Sequence, residues 1–518
     1  MDTTTKARPA PPPGRAAFAH VVHAEFTKFR TVRGWMITLV AVAVVLALLS
    51  FVSASLSRQG RSAVPTGPGG EAVADTYMYV GLTLAGNGSL TARVTSLSGA
   101  YLPFSGSQGN AFSASAKNQP GSPLRPGLAP WAKAGIILEP DTNQGTAYAA
   151  VMVTGAHGVR MQDNYTHDRP GLPGSVGPSS PRWLRLTRAG DVITGYDSAD
   201  GGHWTMIGTA RLVGLPHTVR IGLFVTSPMY FPAGATVGTP SVATARFGQV
   251  SAHGDLPSRS WNGAAVTGSG DYPDPPSTPT WQQPSAHTFT ITGSGDIAPL
   301  VGDIISAAWS GASIVNGTIF ALLIVIVLAT LFATSEYRRK LIRTTFAASP
   351  RRGHVVAAKA LVAGTLAFAA GAVATAIAEV ITRHVLAANG NYLFAQSGPD
   401  LARVIIGTGL LLGLAAATAV ALGIMLRRST AAVAAGIVLL IVPGVLGSQS
   451  GNWLMRFTPT AAFAIQATLP RSSLVTSAYT PPNGYFPVGP WVGLAVLAAY
   501  AAVALGAAMW LAGRRDVR

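Results

Sequence analysis

The sequence predicts an α-helical polytopic membrane protein with six transmembrane helices and an all-β sandwich inserted between helices 1 and 2. Apolar blocks that reach the spanning length of about 20 residues alternate with polar segments, and one long polar insert follows the first block. Only 11% of the 518 residues are charged, and the mean hydropathy is +0.36. A charged fraction this low is unusual for a soluble globular protein.

The chain begins with residues 1–15, which contain four prolines and are predicted to form a disordered cytoplasmic tail. Residues 16–34 place apolar side chains at three- and four-residue spacing, which indicates an amphipathic helix on the inner membrane surface. The charged residues of this helix are Glu25, Lys28, Arg30 and Arg33. It is either a simple anchor or a connecting helix that also touches a cytoplasmic partner.

Six apolar blocks are long enough to span a membrane. They are residues 35–56, 313–334, 355–381, 403–426, 430–446 and 490–511. The fifth is the least regular, because Pro443 and Gly444 interrupt it. The first block could instead be a signal peptide that ends near residue 55. A spanning helix is favoured because its apolar core is longer than that of a signal peptide and more than thirty residues precede it.

Basic residues predict the orientation of these spans. Clusters precede span one, separate spans two and three, separate spans four and five, and follow span six. The positive-inside rule then puts both termini in the cytoplasm and residues 57–312 outside the cell, in a plasma (cytoplasmic) membrane protein. The same clusters account for the net charge of +17. The basic residues do not form a single basic face with interleaved aromatic residues, so the sequence does not predict nucleic-acid binding.

The polar insert contains short β-rich runs separated by glycine, proline, asparagine and aspartate. The runs are residues 88–95, 147–154, 159–163, 182–188, 192–196, 203–207, 219–226 and 244–250. This spacing favours a two-sheet sandwich over residues 57–254. Residues 255–312 are rich in proline, serine and glycine, and they are interpreted as a stalk, with or without a small hairpin, leading to span two.

No motif in the chain predicts catalysis. The sequence has no phosphate-binding loop, no paired-histidine zinc helix, no nucleophile elbow and no cysteine. Histidines and aspartates in the insert match no metal-ligand spacing, and aspartates in glycine-rich turns are more simply explained as turn residues. We therefore expect no enzyme activity, cofactor or metal site on this chain, and any ATP hydrolysis must occur on a partner.

Two groups of residues are candidates for binding. Trp131, Trp183, Tyr196 and Trp204 could form a platform on which sugar rings stack, although aromatic residues on strands are more often sandwich core. Glu379 is the only carboxylate within a predicted span, so it is a functional candidate. Its neighbour Arg383 makes an interfacial ion pair an equally good interpretation.

Residues 335–354, between spans two and three, form a short and strongly basic loop. Glu336 begins it, a helical run follows, and Pro350 ends it, which predicts a stiff charged projection. Residues 336–359 and 25–35 together resemble ABC transporter permeases of the second exporter type, actinobacterial branch. The resemblance implies that residues 16–34 are the elbow helix and that residues 335–354 are a coupling loop resting on an ATP-binding subunit. The implied coupling residues are Glu336, Tyr337, Arg338, Arg339, Arg343, Thr344, Pro350, Arg351 and Arg352.

The insert departs from that family and is similar to the laminin-G or concanavalin-like sandwiches that accompany bacterial carbohydrate enzymes. These resemblances imply an exporter permease, dimeric or paired with a second permease, that is driven by a P-loop ATPase with ATP and magnesium on that subunit. The outward domain would bind substrate, cell-envelope glycan or a partner protein. The alternative is a membrane-anchored receptor for glycan or protein that transports nothing.

Overall fold

The computed structural model describes residues 15–57, 64–103, 123–232, 238–267, 276–300, 308–315, 317–338, 351–450, 453–469 and 484–514. The predicted tail, residues 1–15, lies almost entirely outside the described residues. The helices are α1 (Arg15–Thr31), α2 (Arg33–Leu56), α3 (Gly311–Ile314), α4 (Thr318–Arg338), α5 (Arg352–Ala388), α6 (Gly398–Leu426), α7 (Ser429–Leu440), α8 (Val442–Ser450), α9 (Trp453–Phe457), a 3₁₀ helix (Pro459–Gln466) and α10 (Pro490–Arg514).

Among the described residues, six helical segments are long and apolar enough to cross a membrane, which confirms the predicted fold class. Span one is α2, span two is α4, span three is α5, span four is α6, span five combines α7 with the start of α8, and span six is α10. Span five is broken at Ile441, immediately before Val442 and the Pro443–Gly444 pair. Proline lacks the amide hydrogen that a continuous helix needs, so the break was foreseeable.

Small residues let the spans approach closely. A Cβ atom added at Gly413 of α6 would lie 2.9 Å from the Gly364 carbonyl oxygen of α5, and one at Gly409 would lie 2.9 Å from that of Phe368. A Cβ at Gly493 of α10 would meet the Ala461 carbonyl oxygen at 2.0 Å. Within a bilayer no hydrophobic effect drives helices together, so membrane helices associate through close packing of this kind.

The strands lie mainly between span one and span two. They are β1 (Val73–Asp75), β2 (Tyr77–Tyr101), β3 (Arg125–Pro126), β4 (Lys133–Glu139), β5 (Ala149–Thr154), β6 (Val159–Asp163), β7 (His167–Pro170), β8 (Arg182–Ala189), β9 (Val192–Ser198), β10 (Thr205–Arg211), β11 (Thr218–Thr226), β12 (Ser241–Asp255), β13 (Asn262–Val266), β14 (Thr280–Ser285), β15 (Thr288–Gly293), β16 (Ile297–Pro299), β17 (Ala308–Trp309) and β18 (Tyr392–Leu393). Each predicted β-rich run overlaps one of them.

Strand β2 belongs to both layers of the sandwich. Its first half pairs with β11 and β13, and its second half, from Gly88, pairs with β8 and β12. The change of partner follows Gly86, whose φ of +67° a side chain would disfavour. One layer therefore runs β13-β2-β11-β4-β5-β6-β7, and the other runs β10-β9-β8-β2-β12-β15-β14.

The space between the layers is the main core of the domain. Alternate residues of each strand point into it, as period-two geometry requires, among them Val80, Ile136, Leu186 and Phe247. The outer face of the β11 layer is also buried and carries tyrosines, whereas the outer face of the β8 layer is polar. The two outer faces therefore have different roles.

The interpretation of residues 255–312 as a stalk needs correction. Strand β13 pairs with β2, and β14 and β15 form a hairpin whose second strand pairs with β12. Phe289 and Ile291 of β15 are fully buried in the sandwich core. The Pro-, Ser- and Gly-rich composition reflects edge strands and turns, where proline is tolerated because no ladder hydrogen bond is lost.

Candidate functional site

Four charged residues from three separate elements meet at one end of the helix bundle. Lys359 of α5 donates to Glu25 of α1 at 2.6 Å and to Glu336 of α4 at 2.9 Å. Lys28 of α1 donates to Glu336 at 2.9 Å and to Glu25 at 2.7 Å. We call Glu25, Lys28, Glu336 and Lys359 the basic-end cluster. It balances two carboxylates with two ammonium groups and ties the amphipathic helix to spans two and three.

The basic-end cluster is largely withdrawn from solvent. Glu25, Glu336 and Lys359 are buried, whereas the Lys28 side chain is 42% exposed. Partial burial lowers the pKa of Lys28, but the two carboxylates outweigh burial and the net pKa is raised. Lys359 also lies 4.7 Å from the centre of the Phe332 ring, which helps to compensate a cation removed from water.

Further contacts place the other basic segments at this same end. The Arg427 guanidinium, between spans four and five, lies 5.7 Å from the Tyr337 ring centre. Arg352, at the start of span three, donates to the Ala512 carbonyl near the end of span six at 3.2 Å. The four basic clusters that the positive-inside argument grouped on one side therefore do lie together.

The predicted coupling residues divide into two sets. Glu336 and Tyr337 lie within α4, with Glu336 buried in the basic-end cluster, and Arg351 is exposed beside the half-buried Arg352. Arg339, Arg343, Thr344 and Pro350 lie outside the described residues, as does the side chain of Arg338. Among the predicted elbow residues, Arg30 and Arg33 are exposed, whereas Glu25 and Lys28 turn inward. Sequence reasoning assigned Glu336 to the loop and missed its partner Lys359.

Glu379 lies near the opposite end of span three. It is 2% exposed and accepts from Arg383 one turn later at 2.9 Å. The other carboxylate oxygen of Glu379 and the hydroxyls of Thr375 and Thr382, all on the same helical face, have no hydrogen-bond partner among the described residues. The pair with Arg383 was anticipated, but these buried polar neighbours were not.

A second buried charged region lies on the outer face of the β11 layer. Asp75 accepts from the Tyr165 hydroxyl at 2.8 Å, and Glu139 accepts from the Tyr77 hydroxyl. Burial raises the pKa of Asp75 to about 6 and the pKa of Glu139 to about 8. We call the face formed by Tyr77, Tyr79, Tyr148 and Tyr165 with these acids the tyrosine face.

The tyrosine face is where the chain enters and leaves the sandwich. Strands β1 and β16 pair with each other, with Asp75 opposite Ile297, and both flank this face. Lys133, which is fully buried on β4, donates to Asp296 at 2.8 Å just before β16. This ion pair fixes the returning strand to the sheet.

The polar outer face of the β8 layer carries a groove of about 430 Å³. Its lining residues are Ser89, Thr91, Trp183, Arg185, Thr187, Gly201, Trp204, Ser251 and His253. The Arg185 guanidinium lies 3.9 Å from the centre of the Trp204 ring, and Trp204 donates its indole hydrogen to the Gly201 carbonyl. We call this feature the tryptophan groove.

The structure brings together only part of the predicted aromatic platform. Trp183 and Trp204 both line the tryptophan groove. Tyr196 is paired in register with Arg185 on the same face, beside the groove. Trp131 does not belong to it, because it is 3% exposed and stacks on His157 with ring centres 4.0 Å apart. Spacing along the sequence could not reveal which layer each indole faces.

Within the described residues, no group of three histidine, aspartate or glutamate side chains could hold a metal ion. The exposed Asp200 accepts from the backbone amides of Gly202 and His203, which is the turn role expected from sequence. His167 and Arg169 both contact Asp163, so these charges are also satisfied locally.

Comparison with solved structures gives only weak likenesses. A functionally unknown protein from Saccharomyces cerevisiae aligns at 14% identity with a TM-score of 0.22, over 34% of this chain and 74% of the other. Scytalido-glutamic peptidase with a transition state analog inhibitor aligns at 9% identity with a TM-score of 0.27, over 42% and 98%. A second structure of that peptidase aligns at 10% identity with a TM-score of 0.25, over 43% of this chain and 98% of the other. Scores this low carry no functional argument.

No curated protein matches the sequence. A protein-family comparison, in contrast, extends over almost the whole chain. Residues 19–517, from the amphipathic helix to the end of span six and including the sandwich, match the family described as ABC-2 family transporter protein. The match covers all six spans. The chain therefore belongs to the ABC-2 family of transporter proteins.

Proposed function

We propose that this chain is the permease subunit of an ATP-driven exporter and that a separate P-loop ATPase subunit docks on the loop between spans two and three. Membership of the ABC-2 family supports a transport subunit without catalytic activity of its own. ATP and magnesium belong on the partner. The membrane path is completed by a second copy or a second permease.

The observation that carries this proposal is the basic-end cluster. Lys359 and Glu336 flank the loop on either side and are joined directly, so spans two and three form one braced unit where the loop projects. Glu25 and Lys28 connect the amphipathic helix to the same unit. A push on the loop is therefore transmitted to three elements together, as ATP-driven rigid-body movement requires.

We further propose that both termini lie inside and residues 57–312 outside the plasma membrane. The basic residues gathered at this same end of the bundle support that orientation, because they favour the cytoplasm. The sandwich then projects from the outer surface. The similarity to laminin-G or concanavalin-like domains and the exposed tryptophan groove support binding of a cell-envelope glycan by this domain.

The coupling proposal is tested by charge reversal in the loop. The chain is purified from its native membrane in mild detergent, and any accompanying P-loop ATPase is identified by mass spectrometry. We expect a stoichiometric ATPase with the native chain and its loss from Arg338→Glu/Arg343→Glu, while the yield of inserted protein is unchanged.

The matched control is Arg428→Glu/Arg514→Glu, which makes the same charge change at the same end of the bundle but outside the loop. Both arginines are exposed. The control should keep the ATPase. Retention of ATPase by the loop variant would contradict the coupling role. A native chain that purifies alone with attached glycan would instead support a membrane-anchored receptor.

A further inference from the structure

We propose that the tryptophan groove binds an acidic saccharide, with a sugar carboxylate on Arg185 and a sugar ring against Trp183. The inference deepens the glycan-binding part of the proposed function and rests on it. It specifies the chemical class of the glycan, because the groove holds an arginine that no carboxylate of the described residues pairs with.

The geometry of Arg185 is suited to a carboxylate. Its Nε donates to the Thr91 hydroxyl at 3.1 Å, and its guanidinium carbon lies 3.9 Å from the centre of the Trp204 ring. These two contacts hold the guanidinium in place and leave its terminal nitrogens without a partner among the described residues. A planar fork held in this way is suited to bidentate hydrogen bonding with a carboxylate.

Nothing in the groove neutralises this arginine. No aspartate or glutamate is among the lining residues. Asp200 lies on the turn that supplies Gly201 to the wall, but its carboxylate is occupied by Ser198, by two backbone amides and by the His203 ring. Within the described part of the chain, no carboxylate forms an ion pair with Arg185. The groove is therefore complementary to an anion.

The remaining lining fits a sugar rather than a peptide. Trp183 is half-buried and its indole N–H makes no hydrogen bond to described residues, so it presents both an apolar ring and a donor. Hydroxyl groups of Ser89, Thr187 and Ser251 face the same space, and no aliphatic side chain lines it. The volume falls within the range of about 300–1,000 Å³ that small-ligand pockets occupy.

The test uses the full chain in lipid nanodiscs and isothermal titration calorimetry. The probes are tetramers of galacturonate, glucuronate and mannuronate, each compared with its carboxyl-reduced neutral form. We expect at least one acidic tetramer to bind about tenfold or more tightly than its neutral form, since charge-assisted hydrogen bonds are stronger than neutral ones. Arg185→Gln should remove this preference, so that the acidic and neutral forms bind this variant equally.

Two further variants distinguish the groove from general surface charge. Arg211→Gln removes an exposed arginine on β10 outside the groove and should behave as the native chain. Trp183→Ala should weaken acidic and neutral forms alike. The thermal midpoint of each variant is measured to confirm that the domain is folded.

The proposal is overturned if acidic and neutral tetramers bind equally, if Arg211→Gln loses as much affinity as Arg185→Gln, or if no acidic tetramer binds. Equal binding would leave a neutral-glycan platform in place, whereas no binding of any saccharide would remove the glycan role altogether. None of these results bears on ATPase co-purification, so failure here is distinguishable from failure of the exporter proposal.

Discussion

Two of the regions in which the chain buries charge, the basic-end cluster and the tyrosine face, differ in their balance of acidic and basic groups. The basic-end cluster pairs two carboxylates with two lysines across α1, α4 and α5. The tyrosine face and its edge contain Asp75, Glu139 and Asp296 but only one buried lysine, Lys133. An excess of buried acid is relieved by taking up protons. The membrane bundle is thus braced by paired charges, whereas the sandwich holds buried acids whose pKa values are raised.

The strongest way to break the braced cluster is Lys359→Met. It leaves Glu25 and Glu336 buried with only the half-exposed Lys28 between them. Breaking a buried ion pair by removing one partner destabilises by about 3–5 kcal/mol. We expect a large fall in the thermal midpoint of the purified chain. An unchanged midpoint would show that the cluster does not brace the bundle.

The corresponding change in the sandwich is Lys133→Met, on strand β4. We expect a smaller loss of about 2–3 kcal/mol, since Asp296 still accepts from its neighbouring backbone amide. Hydrogen exchange should increase in β4 and β16 and not in the spans. The double variant Lys133→Met/Asp296→Asn should recover most of the protection, and failure to recover would mean that packing, not charge, is responsible.

The excess of buried carboxylates over buried lysines predicts that the sandwich loses stability as the pH rises. The pKa of Glu139 is about 8 in the fold against an ordinary value of 4.5, because burial disfavours the carboxylate. The stability that Glu139 contributes to the fold is therefore fully present below about pH 4.5 and is lost as the pH rises through about 8. Asp75, with a pKa of about 6, acts in the same direction at lower pH.

Glu139→Gln tests this pH dependence. The titratable and charged residues that interact with Glu139 are left unaltered. They include Tyr77, Tyr79, Tyr165, Asp75, Asp141 and Arg220. Hydrogen exchange of β2 and β4 is compared between the native chain and the variant at pH 5 and at pH 8.5. We expect the two proteins to be similar at pH 5 and the variant to be better protected at pH 8.5. The same difference at both pH values would contradict a titrating Glu139.

The smallest effect is expected for Lys28→Met. It removes the same charge as Lys359→Met from the same cluster, but the side chain is 42% exposed. Solvent screening limits such pairs to about 0–1 kcal/mol. The comparison of the two lysine variants isolates burial as the variable. Equal losses would show that the cluster depends on net charge and not on its buried members.

Sequence patterns were sufficient for the spans and for most strands, because hydropathy and period-two alternation act within a local window. They could not predict the basic-end cluster, whose Glu25 and Lys359 are far apart in the sequence and meet only when the spans pack. They also could not predict that Trp183 lines the tryptophan groove and Trp131 does not, since the face on which an indole lies depends on which layer its strand joins. Composition alone misassigned β13–β15 as a stalk.

The pairing of β1 with β16 means that the whole sandwich is held at a narrow neck. The polypeptide enters the sandwich after span one through β1 and leaves it toward span two through β16. These two strands are hydrogen-bonded to each other, so the two ends of the domain are as close together as the two ends of a short hairpin. Insertion is well tolerated where the ends of a domain lie together. We therefore expect that the sandwich could be exchanged for another domain whose ends lie equally close together without altering the membrane helices.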